Sequence, residues 1–300
     1  MKVTVKERKQ APSAPTIARC TSVETIQFCP LLLSVVIPAK DEASALSSLI
    51  PSVKRSVAAY PHEILVVDDG STDATCAVAC RHGISVVSHP TNMGKGAAMR
   101  TGVSNTRGNI IVFIDADGAH DASDIPAVVA PIVRGEADFV IGSRCLPQSR
   151  VVVSPAVRKL TNHLASLTIT ALVTVLLPMA SLFRCHVPHV RITDCTSGFR
   201  AIRREAWHRM ELSSQGFEIE AEMIYEAARS RLSIAEAPIG CDWNAEFSHL
   251  SIFGDGVKTA MLLVWKLMRE VGGRPTPPHP PGGNDPLITR YPRNARRMHR

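Results

Sequence analysis

Several features that would settle a function class at once are missing from this 300-residue chain. Its eight cysteines form no Cys-x-x-Cys pair and no Cys/His spacing of the zinc-binding type. That argues against a zinc module or a dithiol redox motif, and suits free thiols in a reducing compartment. The first 30 residues hold no apolar h-region of the signal-peptide type. There is no phosphate loop with Walker spacing and no internal repeat. A basic body is also lacking. The net charge of +7 sits in the tails: five Lys/Arg against two acids in residues 1–30 (+3), and six against one in residues 272–300 (+5). The stretch between them holds 23 against 24, or −1. A nucleic-acid partner would require a basic face on the fold, so none is expected. The basic tails fit solvated segments, or segments drawn to an anionic membrane surface.

What is present is an alternation of apolar runs and amphipathic stretches. Leu31–Pro38, Glu63–Asp68, Ile84–Ser88, Asn109–Ile114 and Phe139–Gly142 read as strands. Between them, 41–59, 72–82, 96–106 and 123–133 read as helices. Strands alternating with helices of this length predict βαβ units, an α/β fold and a mostly parallel central sheet flanked by helices. Further on, 216–231 reads as a helix and 234–239 as a strand. Residues 1–30 are expected to be a disordered basic leader and 272–300 a disordered Pro/Arg-rich tail. Residues 31–271 form the folded body, with halves at about 31–145 and 146–271. Leu164–Phe183 carries no charge and is long enough for one membrane span. Its Ser, Thr and Pro content favours an interfacial or core helix instead.

Two apolar runs end in acid. Ile64-Leu65-Val66-Val67 leads into Asp68-Asp69-Gly70-Ser71-Thr72-Asp73, and Ile110–Ile114 leads into Asp115-Ala116-Asp117. Carboxylates placed at the carboxyl ends of parallel strands lie where open α/β sheets bind ligands. Asp115 and Asp117, one residue apart, are hard oxygen ligands suited to Mg²⁺ or Mn²⁺, and such an ion holds phosphates. Asp68–Ser71 taken alone also suits a plain turn and helix cap. Lys95, between two glycines before a helix, suits a phosphate or a solvated turn. Arg144 and Arg200 suit phosphate oxygens or structural roles.

Five segments in this order resemble a family 2 glycosyltransferase with the GT-A nucleotide-sugar-binding fold. They are Val36-Ile37-Pro38-Ala39-Lys40-Asp41-Glu42, Val67–Asp73, Asn92-Met93-Gly94-Lys95-Gly96-Ala97-Ala98, Asp115-Ala116-Asp117-Gly118 and Ile141-Gly142-Ser143-Arg144. Asp194-Cys195-Thr196-Ser197-Gly198-Phe199-Arg200 and Phe217–Met223 are similar to the branch that makes dolichyl- or polyprenyl-phosphate mannose or glucose. The resemblance implies that Pro38, Ala39, Glu42, Val67 and Asp69 shape a nucleoside pocket. It places Asp115, Ala116 and Asp117 at the cation and ribose, and Lys95, Arg144 and Arg200 at phosphates. Asp194 and Glu220 would line the acceptor side. The chain departs from the pattern at Ala119, where related synthases carry Gln, with His120 or water to replace it. It departs again over 238–250, a loop expected to close on the donor diphosphate, where Asn244, Glu246 and Ser248-His249 stand against an Arg, a Gly and a Ser-Lys pair, two positive charges fewer.

The function implied is inverting transfer of a hexose from a nucleoside-diphosphate sugar, such as GDP-mannose or UDP-glucose, to a polyprenyl phosphate. The protein would be cytoplasmic and peripheral at the membrane face. Two alternatives stay open at this point: a hydroxyl acceptor on the same fold, and a non-catalytic nucleotide-sugar binder.

Overall fold

The structure, a computed structural model, describes residues 31–152, 192–242, 262, 265–266 and 289–291. The leader, the 164–183 stretch, most of the 238–250 loop including His249, and most of the 272–300 tail lie outside the described residues.

β1 (Leu33–Ala39), α1 (Ala43–Ser56), β2 (His62–Asp68), α2 (Thr75–Arg81), β3 (Ser85–Ser88), α3 (Lys95–Ser104) and β4 (Ile110–Phe113) follow one another in the expected alternation. Next come a short 3₁₀ turn, α4 (Ile125–Val133), β5 (Phe139–Ser143) and β6 (Arg150–Val152). After residue 192 the chain forms β7 (Arg200–Arg203), α5 (Arg204–His208), α6 (Ile219–Arg229), β8 (Ile234–Pro238) and β9 (Gly240–Asp242). β10 (Thr289–Tyr291) lies in the tail that the composition marks as unstructured, and it pairs antiparallel with β3.

The main sheet runs in the order β10-β3-β2-β1-β4-β7-β5-β8, and β6 pairs separately with β9. β1, β2, β3 and β4 are mutually parallel, whereas β7 inserts antiparallel between β4 and β5. Burial on both faces explains the unbroken apolar runs. Val35, Ile37, Val66 and Val112 point into one core with α1, α2 and α4. Val36, Leu65, Val67, Ile111 and Phe113 point into a second core with α3, α5 and α6. α1 meets the first core with Leu46, Leu49, Ile50 and Val53, the i, i+3, i+4, i+7 stripe of an amphipathic helix.

Strand order locates the site. From β1 the chain steps outward through β2 to β3, then returns to β4 on the other side of β1. The crevice beyond the carboxyl ends of β1 and β4 is therefore a topological switch point, where such sheets bind ligands.

Candidate active site

Two loops leave the sheet beside this crevice and are tied to each other. Asp41, after β1, accepts from the Thr72 N–H (2.7 Å), and its own N–H donates to Ser71 Oγ (2.9 Å). The Glu42 N–H donates to Thr75 Oγ1 (2.8 Å), and the Ala43 N–H to Asp73 Oδ2 (3.0 Å). Amide groups at the start of α1 are thus satisfied by the loop after β2, a cap supplied from outside the helix. Asp41 takes φ +56°, a left-handed conformation that a short polar residue tolerates. The sequence places the next helix over 72–82. It starts at Thr75 instead, because Asp73 Oδ1 accepts from the Thr75 N–H (2.8 Å).

The carboxylate of Glu42 lies on this crevice with no hydrogen-bond or ion-pair partner among the described residues. Burial, then Asp117, Asp73 and Asp115, push its carboxyl up to about 7. Asp117 is similar. It accepts from the Ala119 N–H (3.0 Å) and pairs with no cationic side chain among the described residues. Burial and the neighbouring Asp115 push it up to about 6. Asp117, repelled by Asp115 at one end and facing Glu42 at the other, is short of positive charge, which fits a divalent cation at the Asp115–Asp117 edge. Among the described residues no three His, Cys, Asp or Glu side chains already converge as a closed metal site. One or two carboxylates leave most positions of a bound cation to ligand oxygens and water, as Mg²⁺ sites commonly do.

Asp115 differs from Asp117. Its Oδ1 lies 2.6 Å from Lys95 Nζ, which also lies 2.6 Å from Glu220 Oε1. Burial would raise the Asp115 pKa, but Lys95 and then His120 hold it below the usual carboxylate range. Its Oδ2 faces His120 Nε2 at 3.8 Å, too far for a hydrogen bond. His120 is buried beside the Phe199 ring with Nδ1 unpartnered, and burial pushes its pKa down to about 4.

Several residues of the sequence-predicted site make framework contacts. Asp69 was expected at the nucleoside. Its Oδ1 accepts from His89 Nδ1 (2.7 Å) and the Met93 N–H (2.8 Å), and its Oδ2 from the Gly94 N–H (2.8 Å). Both oxygens are spent holding the 89–94 loop. Lys95 was expected at a phosphate; it pairs with two carboxylates. Nor do the N–H groups at the start of α3 face an anion. Those of Gly96 (2.6 Å) and Ala97 (3.2 Å) donate to Gln215 O. A Cβ at Gly96 would collide with the Ser214 carbonyl, so this glycine serves a close backbone approach.

Arg144 and Asp194 form a bidentate pair, Nε to Oδ2 at 2.7 Å and Nη2 to Oδ1 at 2.8 Å, and Arg144 Nη2 also reaches Thr196 Oγ1. Burial opposes the charge of Asp194, but Arg144 holds its carboxyl at about 2. Glu236 supports the same turn by accepting from the Thr193 and Asp194 N–H groups, each at 3.0 Å. Arg200 is fully buried and donates to the carbonyls of Ser197 (2.7 Å), Glu220 (2.5 Å) and Cys195 (2.8 Å). Those donors are spent on backbone. Pro38 and Ala39 close β1, Val67 is the next-to-last residue of β2, and Ala116 follows the end of β4 by three residues. Sequence reasoning missed His89, Glu236 and the close approach of Gly198, where a Cβ would overlap Asp115 and Lys95. Of these only Gly198 left a signal, as one letter of a longer motif.

A mostly parallel sheet with an acidic edge at its switch point is an α/β ligand-binding arrangement. Residues 34–210 match the model of the family described as Glycosyl transferase family 2, and the chain belongs to that family. It is 31% identical over 241 residues to an uncharacterised protein of Methanocaldococcus jannaschii, covering 79% of this chain and 90% of that one. It is 29% identical to the dolichol-phosphate mannosyltransferase of Pyrococcus furiosus, over 69% of this chain and 55% of the relative. It is likewise 29% identical to the polyprenol monophosphomannose synthase of Mycolicibacterium smegmatis, over 77% and 84%. Its fold is like that of Mycobacterium tuberculosis glucosyl-3-phosphoglycerate synthase, solved with Mn²⁺, UDP and glucosyl-3-phosphoglycerate. The TM-score is 0.58 at 22% identity, covering 83% of this chain and 82% of that one.

Proposed function

We propose that this glycosyltransferase moves a hexose from a nucleoside-diphosphate sugar to a polyprenyl phosphate, with inversion at the anomeric carbon. The observation that carries the reading is the uncompensated pair Glu42 and Asp117 at the switch point of a family 2 chain. The relatives named as dolichol- and polyprenol-phosphate mannose enzymes support the acceptor class.

Glu42 and the loop after β1 hold the nucleoside side, on a floor made rigid by Asp41, Asp73 and Asp69. Asp117 and the free Oδ2 of Asp115 would hold Mg²⁺ or Mn²⁺. When bound, that ion offsets the charge on the donor diphosphate. The Arg144–Asp194 pair and Glu236 fix the turn at 193–196. In the reaction an acceptor phosphate oxygen attacks the anomeric carbon. The bond from that carbon to the diphosphate breaks, and the nucleoside diphosphate leaves with the electron pair. A phosphate monoester is already ionised at neutral pH, so no side chain has to remove a proton. The site would work at a membrane face, where its acceptor resides. Among the described residues no helix is long and apolar enough to cross a membrane.

The test is transfer of label from radioactive GDP-mannose, and separately UDP-glucose, to a short polyprenyl phosphate with Mn²⁺ present. Label extracted into organic solvent from one donor is the expected result. Label confined to water-soluble products, or no transfer from either donor, overturns the acceptor assignment.

A further inference from the structure

Lys95 occupies an unusual position for a cation beside a carboxylate site. Its side chain is only 10% exposed, and its Nζ lies 2.6 Å from both Asp115 Oδ1 and Glu220 Oε1. The ring of Phe217 lies 5.3 Å from the same nitrogen. Gly198 closes over the pair, since a Cβ there would overlap the Asp115 oxygens and Lys95 Nζ. Lys95 is therefore held by charge, by an aromatic face and by backbone packing, and cannot swing out to solvent without rearranging all three. Asp115 thus meets any incoming cation with one oxygen already neutralised, while Asp117 meets it with none.

We propose that Lys95 is a resident counter-ion to Asp115 which makes the carboxylate pair a poor site for a free divalent cation and a good one for a cation arriving with a diphosphate. A divalent ion on Asp115 Oδ2 would face an ammonium group across a single carboxylate, with little water between to screen the repulsion. The phosphate oxygens of a nucleoside diphosphate supply the negative charge that offsets both cations. Glu220 has its own part. It retains Lys95 when the charge of Asp115 is shared with the metal, so Lys95 is never left unpaired in a buried place. Lys95 and Glu220 are positioning residues in this account and touch neither sugar nor acceptor. The inference rests on the reading of this edge as the donor site.

The experiment follows Mn²⁺ uptake by the full chain through loss of the free-ion EPR signal, with and without GDP or UDP. In the unsubstituted protein, nucleotide should tighten Mn²⁺ binding by about tenfold or more, within the usual range of coupling between two ligands. Lys95→Met should tighten binding of Mn²⁺ alone by a similar factor of about ten and shrink the nucleotide effect. Glu220→Gln, which leaves Lys95 wholly to Asp115, should weaken it. The two substitutions then move the same quantity in opposite directions, which a general loss of structure would not do. If Lys95→Met folds poorly, Mn²⁺ without nucleotide should raise its melting temperature more than it raises that of the unsubstituted protein. Nucleotide-dependent uptake that Lys95→Met leaves unchanged, or a loss of affinity in both variants, overturns the role given to Lys95 while leaving the donor site standing. No Mn²⁺ uptake under any condition overturns both.

Discussion

The two sides of the site treat charge in opposite ways. On the edge formed by β1, β2 and β4, Glu42 and Asp117 have no cationic partner among the described residues, and each is pushed well above the usual carboxylate range. Across the crevice, in residues 192–242, charge is spent. Asp194 is clamped by Arg144, Arg200 is buried on three carbonyls, and Glu222 and Glu226 share the buried Lys266 at 2.8 and 2.5 Å. Buried groups that are fully paired shape a fold, whereas groups held close to like charge store unfavourable energy that a ligand can release. The difference separates scaffold from chemistry better than residue type does, since both sides are rich in acids and arginines.

The comparison can be broken by substitution. The largest expected effect is at Arg200. Arg200→Met leaves three buried carbonyls without donors, and should cost about 3 kcal/mol or more in denaturant stability. Were Arg200 a phosphate contact, stability would hold and donor KM would rise instead. Next comes Asp194. Its carboxyl sits at about 2 against an ordinary 3.8, so its contribution is present above 3.8 and is lost as pH falls through 2. That amounts to about 2 kcal/mol, and Asp194→Asn should lack this part of the acid-side slope in urea titrations. The smallest effect has the opposite sign. Glu42 is raised from 4.5 to about 7, so its contribution is full below 4.5 and is lost as pH rises through 7. Glu42→Gln should match the unsubstituted protein near pH 4 and exceed it by about 1 kcal/mol at pH 8, discounting for the solvent-facing part of the carboxyl. The same variant should bind the nucleotide less well. Equal stability of the two proteins at pH 8 would remove Glu42 from the strained side of the comparison.

Much of the amino half was legible because parallel strands buried on both faces must be unbroken apolar runs. β1, β2, β3, β4 and β5 fall within two residues of their predicted bounds, and the acids that stop β2 and β4 lie at the edge as read. β7 was not legible. It is four residues, Arg-Ala-Ile-Arg, with charge at both ends, and its first guanidinium is satisfied inside the sheet by three carbonyls. A satisfied buried arginine and a phosphate-binding one look alike in sequence. The contacts of the Gly94-Lys95-Gly96 segment were unreadable for a related reason. Glycine is needed wherever backbone approaches closely, and here the 214–215 backbone approaches. The contacts of Asp69 were unreadable because an aspartate after a strand serves a ligand or a loop equally well, and its partner His89 is 20 residues away.

The central claim is that the open carboxylate edge carries the chemistry. It is tested most directly by sugar transfer to polyprenyl phosphate from the donor that works, comparing the unsubstituted protein with Asp117→Asn, in Mn²⁺ and in chelator. The account predicts a metal-dependent rate that falls by at least about 100-fold in Asp117→Asn, more than loss of a residue merely supporting a ligand would cost, with the far-ultraviolet circular dichroism unchanged. A rate that survives both the chelator and the substitution would contradict it.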